Sequence, residues 1–319
     1  MSKLCAALCA LSSAENLQVC SRISKLDFGS NSIGDGGANS CSELMRASAW
    51  LKELRIGSCD MSSAGAASIA SALRDTTSHQ LHILSLTYNF IGLDGVKSIG
   101  AALSVNTSLQ ELDISSCKID DNGVEELAEA LKVNCSLRKL DISYNEIKPA
   151  GAAFLADALQ LNSNLRCLGL ESNNIGDDGA VLLSAALRVN SGLESLDLDN
   201  NEICDRGAAS IGAALRVNIG LQTLYLSRNE MCDPGAIALG FALVANSSLK
   251  CIDLFWNQIG DAGAVALAEA LCQNSALTKL VLHDNKIGPV GAEWIAKAQR
   301  ENSRLEPINV GRVDRDDDD

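Results

Sequence analysis

Aromatic side chains are scarce in this chain, with three tryptophans, three tyrosines and five phenylalanines among 319 residues. An adjacent pair such as Phe255–Trp256 in "LFWNQ" therefore needs a reason. There are only four prolines and no Pro/Ser tract. A flexible linker is excluded, although a chain this long usually divides into two domains. A single architecture that grows by addition fits better. Basic residues are outnumbered, 26 against 40 acidic, which leaves a net charge of −14 and a pI near 4.7. That excess of negative charge argues against nucleic acid and anionic membrane surfaces as partners. No apolar run is long enough to span a bilayer. The N-terminal "MSKLCAALCAL" has no A-x-A cleavage site, so a secretory leader is not expected.

Histidine is also rare, at three residues. His79 and His82 have H-x-x-H spacing but straddle a loop and a strand, with no nearby cysteine to complete a zinc site. The segment "DLDNNEICDRGA" begins like a calcium loop at Asp197. It then places Glu202 where the sharp-turn glycine belongs and Ala208 where the bidentate glutamate belongs. No phosphate-binding or dinucleotide fingerprint is present, and no Ser/His/Asp or Cys/His set stands out. No catalytic residue, cofactor or metal is expected.

What the chain has in abundance is itself. A Leu-x-Leu strand leucine recurs at Leu26, Leu54, Leu84, Leu112, Leu140, Leu168, Leu196, Leu224, Ile252 and Leu280, every 28 residues except for one step of 30. The two extra residues lie in "RDTTSHQ", 74–80. Five positions after each strand leucine stands Asn, or Cys at 59 and 117; seven after, Ile or Met; eleven after, always Gly. The alternation in L-x-x-L-x-L-x-x-N-x-I predicts a short half-buried strand. Apolar residues at offsets 12, 15, 16 and 19 predict a helix. An Asp two before the glycine, as at Asp177, Asp205, Asp233 and Asp261, suits that helix's N-terminus. The repeated Asn in "VNCS", "LNSN" and "ANSS" is expected to end the helix in a left-handed conformation. It also makes N-x-S sequons at Asn106, Asn134 and Asn246, read here as capping. The twelve cysteines follow the repeat and read as small buried hydrophobes in a reducing compartment.

One unit cannot bury its own apolar face; stacked units can. Helices are wider than strands, about 10 Å against about 4.8 Å, so such a stack is expected to curve. The fold expected is an α/β right-handed solenoid, a horseshoe with parallel strands on the concave face and helices on the convex face. Its divisions are a helical capping half-repeat over 1–25, ten repeats over 26–307, and a terminal strand with an acidic tail over 308–319, with Trp294 and Pro307 marking the terminal cap.

The motif L-x-x-L-x-L-x-x-N/C-x-I followed by G-A-x-x-L-A-x-A-L resembles the ribonuclease-inhibitor class of leucine-rich repeats, over essentially Arg22 to Val310. It looks like the repeat arrays of NOD-like receptors and of ribonuclease inhibitor. Ran GTPase-activating protein shares the class, with more irregular repeats and a longer acidic tail. The resemblance implies a non-enzymatic, cytoplasmic protein-interaction scaffold. It also implies, as alternatives, regulation of a Ran-like small GTPase or, less well matched in cysteine content and array length, ribonuclease inhibition.

Two variable columns are the candidate binding residues. Between the strand leucines lie five aspartates, Asp27, Asp113, Asp141, Asp197 and Asp253, together with Tyr225. Carboxylates on adjacent parallel strands repel, and such a column either is offset by nearby Arg138, Lys139 and Arg166 or forms an acidic groove for a basic partner. Four residues after the strand leucine, at the rim of the sheet, lie Tyr88, Tyr144, Arg228, Trp256 and Asp284. Tyr225 and Arg228, Phe255 and Trp256, and His283 and Asp284 should form one patch, of the residue types that dominate binding hot spots. The partner expected is a protein, with the chain itself monomeric.

Overall fold

The structure, a computed structural model, describes residues 24–75 and 81–311. The expected N-terminal half-repeat, most of the 74–80 insertion and the acidic tail fall outside the described residues. Among the described residues ten strands alternate with ten helices: β1 (Lys25–Asp27), α1 (Gly34–Ala47), β2 (Glu53–Arg55), α2 (Ser63–Leu73), β3 (Ile83–Ser85), α3 (Gly92–Leu103), β4 (Glu111–Asp113), α4 (Asp121–Val133), β5 (Lys139–Asp141), α5 (Pro149–Leu161), β6 (Cys167–Gly169), α6 (Gly176–Leu187), β7 (Ser195–Asp197), α7 (Asp205–Leu215), β8 (Thr223–Tyr225), α8 (Asp233–Ala245), β9 (Cys251–Asp253), α9 (Asp261–Gln273), β10 (Lys279–Val281) and α10 (Pro289–Glu301). This is an α/β solenoid of parallel strands.

Two compact units are distinguished, Met1–Ile147 with Asp157–Gly169 and Lys148–Ala156 with Leu170–Asp319. In the first, β1 to β6 pair in chain order, all parallel, each strand leucine opposite the next. Leu54 still faces Leu84, so the 30-residue step leaves the register intact. In the second, β7 to β10 pair the same way. From Leu54 onward every strand leucine or isoleucine is buried, and so, up to the repeat of Ile252, are the helix positions at offsets 12, 15 and 19; in the last helix only offset 15, Ile295, stays buried. Fully burying one such leucine contributes about 1.5–3 kcal/mol.

Strands of three residues leave many backbone groups unpaired at their ends, and two ladders of asparagine take them up. The first is the Asn at offset five. Asn89 Oδ1 accepts the Cys59 and Met61 N–H groups of the preceding repeat at 3.1 and 3.0 Å, while its amide donates to the Ile56 and Leu86 carbonyls. Asn145 and Asn229 repeat the pattern. Cys59 and Cys117 keep the donor half, their thiols pointing at carbonyls 3.2–3.3 Å away. Burial pushes the Cys117 thiol up to about 12, as an inert structural cysteine requires.

The second ladder corrects an expectation. The Asn closing each helix is not left-handed: Asn134, Asn246 and Asn274 are extended, with φ near −76° and ψ near 130°. The side chain supplies what a backbone flip would have supplied. Asn134 Nδ2 donates to the Leu103 carbonyl of the preceding helix, and Oδ1 accepts the Ser136 and Leu137 N–H groups that lead into the strand. Orphan carbonyls at a helix end are thereby satisfied. Asn106, Asn134 and Asn246 are buried and have their amides committed in this way, which explains the sequons structurally.

The aspartate in the first turn of several helices also serves a different end than expected. Asp177, Asp205, Asp233 and Asp261 cap the next repeat's helix, not their own. Asp233 Oδ1 accepts the Gly260 and Gly263 N–H groups of α9 at 2.7 and 3.0 Å, and the other three act alike one repeat on. In the first unit Asp35 does the same for α2. Each cap, worth about 1 kcal/mol, thus ties neighbouring repeats together.

Candidate protein-binding surface

Positive φ occurs instead at the rim column. All ten residues four after the strand leucine, from Ser30 to Asp284, have φ between 50° and 60°. None is glycine, the residue that would adopt this backbone without cost, and none is β-branched, the type that adopts it worst. Within each unit their N–H groups donate to a carbonyl of the neighbouring repeat, as Arg228 does to Phe255 at 2.8 Å. That ladder holds the backbone in place, and the side chains project from it at a fixed angle.

In the second unit four of the six residues expected in one patch, Arg228, Phe255, Trp256 and His283, come together. The Phe255 ring lies 4.4 Å from the His283 ring at a tilt of 34°, and 5.8 Å from the Trp256 ring in an edge arrangement. The Arg228 guanidinium stands 5.8 Å from the Phe255 centroid and 5.6 Å from that of Trp256, within cation–π range. Phe255 is half-buried beneath them, while Trp256 stays 41 % exposed. Arg228 is exposed and makes no ion pair with the described residues. Beside Trp256 opens a cleft of about 920 Å³, lined by Arg228, Trp256, Asp284 and also by Asn200, Glu230, Gln258 and Lys286. Sequence reading missed the last three of these. Their signal was a third periodic column, six after the strand leucine, to which Glu230, Gln258 and Lys286 all belong.

Tyr225 sits to one side. It is half-buried in register between Asp197 and Asp253, and burial, followed by neighbouring negative charge, raises its phenol above the ordinary range. The aspartate column has a local task. Asp27, Asp113, Asp141, Asp197 and Asp253 each accept, through Oδ1, the N–H two residues on, at 2.9–3.1 Å, closing the strand. Burial raises the carboxyls of Asp113 and Asp253, against the lowering effect of those bonds.

The most perturbed carboxyl was not in either column. Asp199 accepts the Ser227 N–H at 2.6 Å and is pushed up to about 6, first by burial and then by the charges of Asp253 and Glu171. A raised carboxylate pKa means that the folded state holds its proton more tightly than the unfolded chain, near 3.9. This group's stabilising contribution is therefore full below about pH 4 and lost as pH rises through 6. Asn at this position keeps the acceptor for Ser227 without the charge. Asp199→Asn is expected to be more stable than the parent by about 1–2 kcal/mol at pH 7 and equal to it near pH 4. Urea melts at both pH values check this; a variant that is no more stable at pH 7 overturns it.

Tyr88 and Tyr144 belong to the first unit. They line a separate cleft of about 400 Å³ with Asn89, Phe90, Ser116 and Lys118. Phe90 was not anticipated, although it too lies six after a strand leucine and is 70 % exposed.

Repeats of this geometry, presenting a variable strip from an invariant frame, define a leucine-rich repeat protein. The Leucine Rich repeat family model matches eight segments, residues 47–70, 105–128, 133–156, 161–184, 189–212, 217–240, 245–268 and 273–296. The chain belongs to that family. It is 32 % identical over 98 residues to the mouse (Mus musculus) NACHT, LRR and PYD domains-containing protein 14, an alignment that covers 30 % of this chain and 10 % of that protein. The chain thus spans about a tenth of that relative's length. A solved structure, leiomodin-1 actin-binding site 2, superposes with a TM-score of 0.40 at 22 % identity, over 46 % of this chain and 87 % of that one. No helix among the described residues is long and apolar enough to cross a membrane. The repeat family is a protein-interaction module.

Proposed function

We propose that the chain is a protein-binding scaffold whose interface in the second unit is anchored by Arg228, Phe255, Trp256 and His283. The observation that carries this reading is the exposed cation–π and edge-on cluster, built from half-buried Phe255 outward, in a chain otherwise poor in aromatics. Tyr, Trp and Arg on a rigid support are the residues that concentrate binding energy. The neighbouring carboxylates of Asp253 and Asp284 favour a partner face with an apolar centre and a basic rim. Serine occupies the same left-handed position as Trp256 in four other repeats, so Trp256→Ser removes the ring without disturbing the backbone.

The test compares wild type with Trp256→Ser/Arg228→Ala in quantitative affinity capture, followed by titration with each protein retained. The double variant is expected to lose the captured partner, with Kd raised about 100-fold, while the melting temperature stays within about 2 °C. Retention of the same partners at the same affinity overturns the proposal.

A further inference from the structure

We infer that the acidic segment 312–319 of this same chain docks on the cleft beside Trp256 in the second unit and covers it, held by Arg228 and Lys286. This deepens the reading of that cleft as an interface and rests on it: the segment is an occupant built into the chain, which a protein partner has to displace.

Position selects the occupant. Gly311 is the last described residue. The Asp284 N–H donates to its carbonyl at 3.2 Å, as Trp256 donates to that of His283 at 3.2 Å and Arg228 to that of Phe255 at 2.8 Å. Gly311 is therefore the next rung of the ladder that carries the rim column, and three steps separate it from Arg228. At about 4.8 Å per step, that is roughly 14 Å. A chain spans at most about 3.3–3.6 Å per residue, so Asp316, five residues past Gly311, is within reach of Arg228. A tether this short holds the segment at an effective concentration of about a millimolar or more, which no partner in free solution matches.

Charge follows the same order along the segment. It reads "RVDRDDDD", two arginines and five aspartates. Arg312, directly after Gly311, comes next to the step of Asp284; the aspartates that follow come next to the cations of the cleft. Arg228 and Lys286 line that cleft, are exposed, and make no ion pair among the described residues. Lys286 Nζ donates to the neutral Gln258 Oε1 at 2.7 Å. The other acid of the lining, Glu230, has its carboxylate at the Cys204 thiol, 3.6 Å away. Single exposed ion pairs are weak. Several carboxylates on one short tether add up, and salt screens them.

The test is zero-length carbodiimide cross-linking of the full chain at micromolar concentration, with the monomer mapped by mass spectrometry. The reagent joins a carboxylate to an amine only when the two are in contact. An amide between Lys286 and an aspartate of 314–319 is expected. Its yield should fall about threefold or more in Arg228→Ala and in 1 M NaCl, because each removes part of the attraction. Arg228→Lys keeps the charge and places a reactive amine there, so position 228 should itself become linked to the segment. Absence of both links, or links found only in dimers, overturns the inference. So does a Lys286 yield that ignores Arg228→Ala and salt, the result for a segment kept nearby by its tether alone. All of this is read without a partner, so the interface proposal stands or falls separately on its own capture test.

Discussion

Asn229→Ala is expected to lower the unfolding free energy by about 3–5 kcal/mol. The side chain is buried and accepts the Asn201 and Ile203 N–H groups at 3.1 and 2.9 Å, while donating to the Leu198 and Ser227 carbonyls at 2.9 and 3.1 Å. Alanine leaves two buried N–H groups and two carbonyls without these partners. Each such loss costs about 1–3 kcal/mol, reduced where water can enter. The chain's own cysteine repeats supply the control. Cys59 keeps bonds to the equivalent carbonyls, Phe28 and Gly57. Asn229→Cys should therefore keep the donor half and lose roughly half as much stability as the alanine variant. Chemical denaturation of the three proteins checks this, and equal losses for Cys and Ala would falsify the division into donor and acceptor halves.

Gly263→Ala is expected to destabilise by about 2–4 kcal/mol, against its intrinsic helix propensity, which favours alanine by about 1 kcal/mol. A methyl group there would lie 2.8 Å from Asp233 Oδ1, 2.8 Å from Ile259 Cγ2 and 2.9 Å from Ala236 Cβ. It would meet at once the cap donated by the preceding repeat, the residue at offset seven and the adjoining helix. The same three neighbours recur at Gly207, Gly235 and Gly291, which accounts for the glycine column. Asp233→Ala alone should cost about 1–2 kcal/mol through loss of the cap. The two changes share one contact, so the double variant should fall short of their sum by at least about 0.5 kcal/mol. Strict additivity in a double-mutant cycle would show that the methyl group does not displace the carboxylate.

Much of this was legible because repetition turns one chain into ten aligned samples. The period of 28, the strand leucines and the helix face at offsets 12, 15, 16 and 19 follow from apolar spacing, and the structure places them as read. The patch around Phe255 was legible too, since its members break the repeat at positions the repeat leaves free. The hydrogen-bonding partners were not. Asp233 looked like the cap of its own helix because it stands at its start; which N–H it reaches depends on the repeat beside it. The helix-closing asparagine suggested a left-handed turn for the same reason. Within one unit that is the economical solution, whereas in the stack its side chain finds carbonyls 28 and 31 residues away. Phe90 and Lys286 were overlooked because no motif distinguishes the column six after the strand leucine.

The amino-acid sequence by itself determined the elements, their order, the buried columns and the membership of the variable strip, because periodicity in apolar residues is a local property of the chain. Only the tertiary structure decided that the rim column is left-handed in every repeat, that each aspartate and asparagine serves its neighbour, and that Arg228, Phe255, Trp256 and His283 meet while Tyr225 stands apart. These depend on distances between groups about 28 residues apart, which the stacking of repeats sets and no single repeat contains.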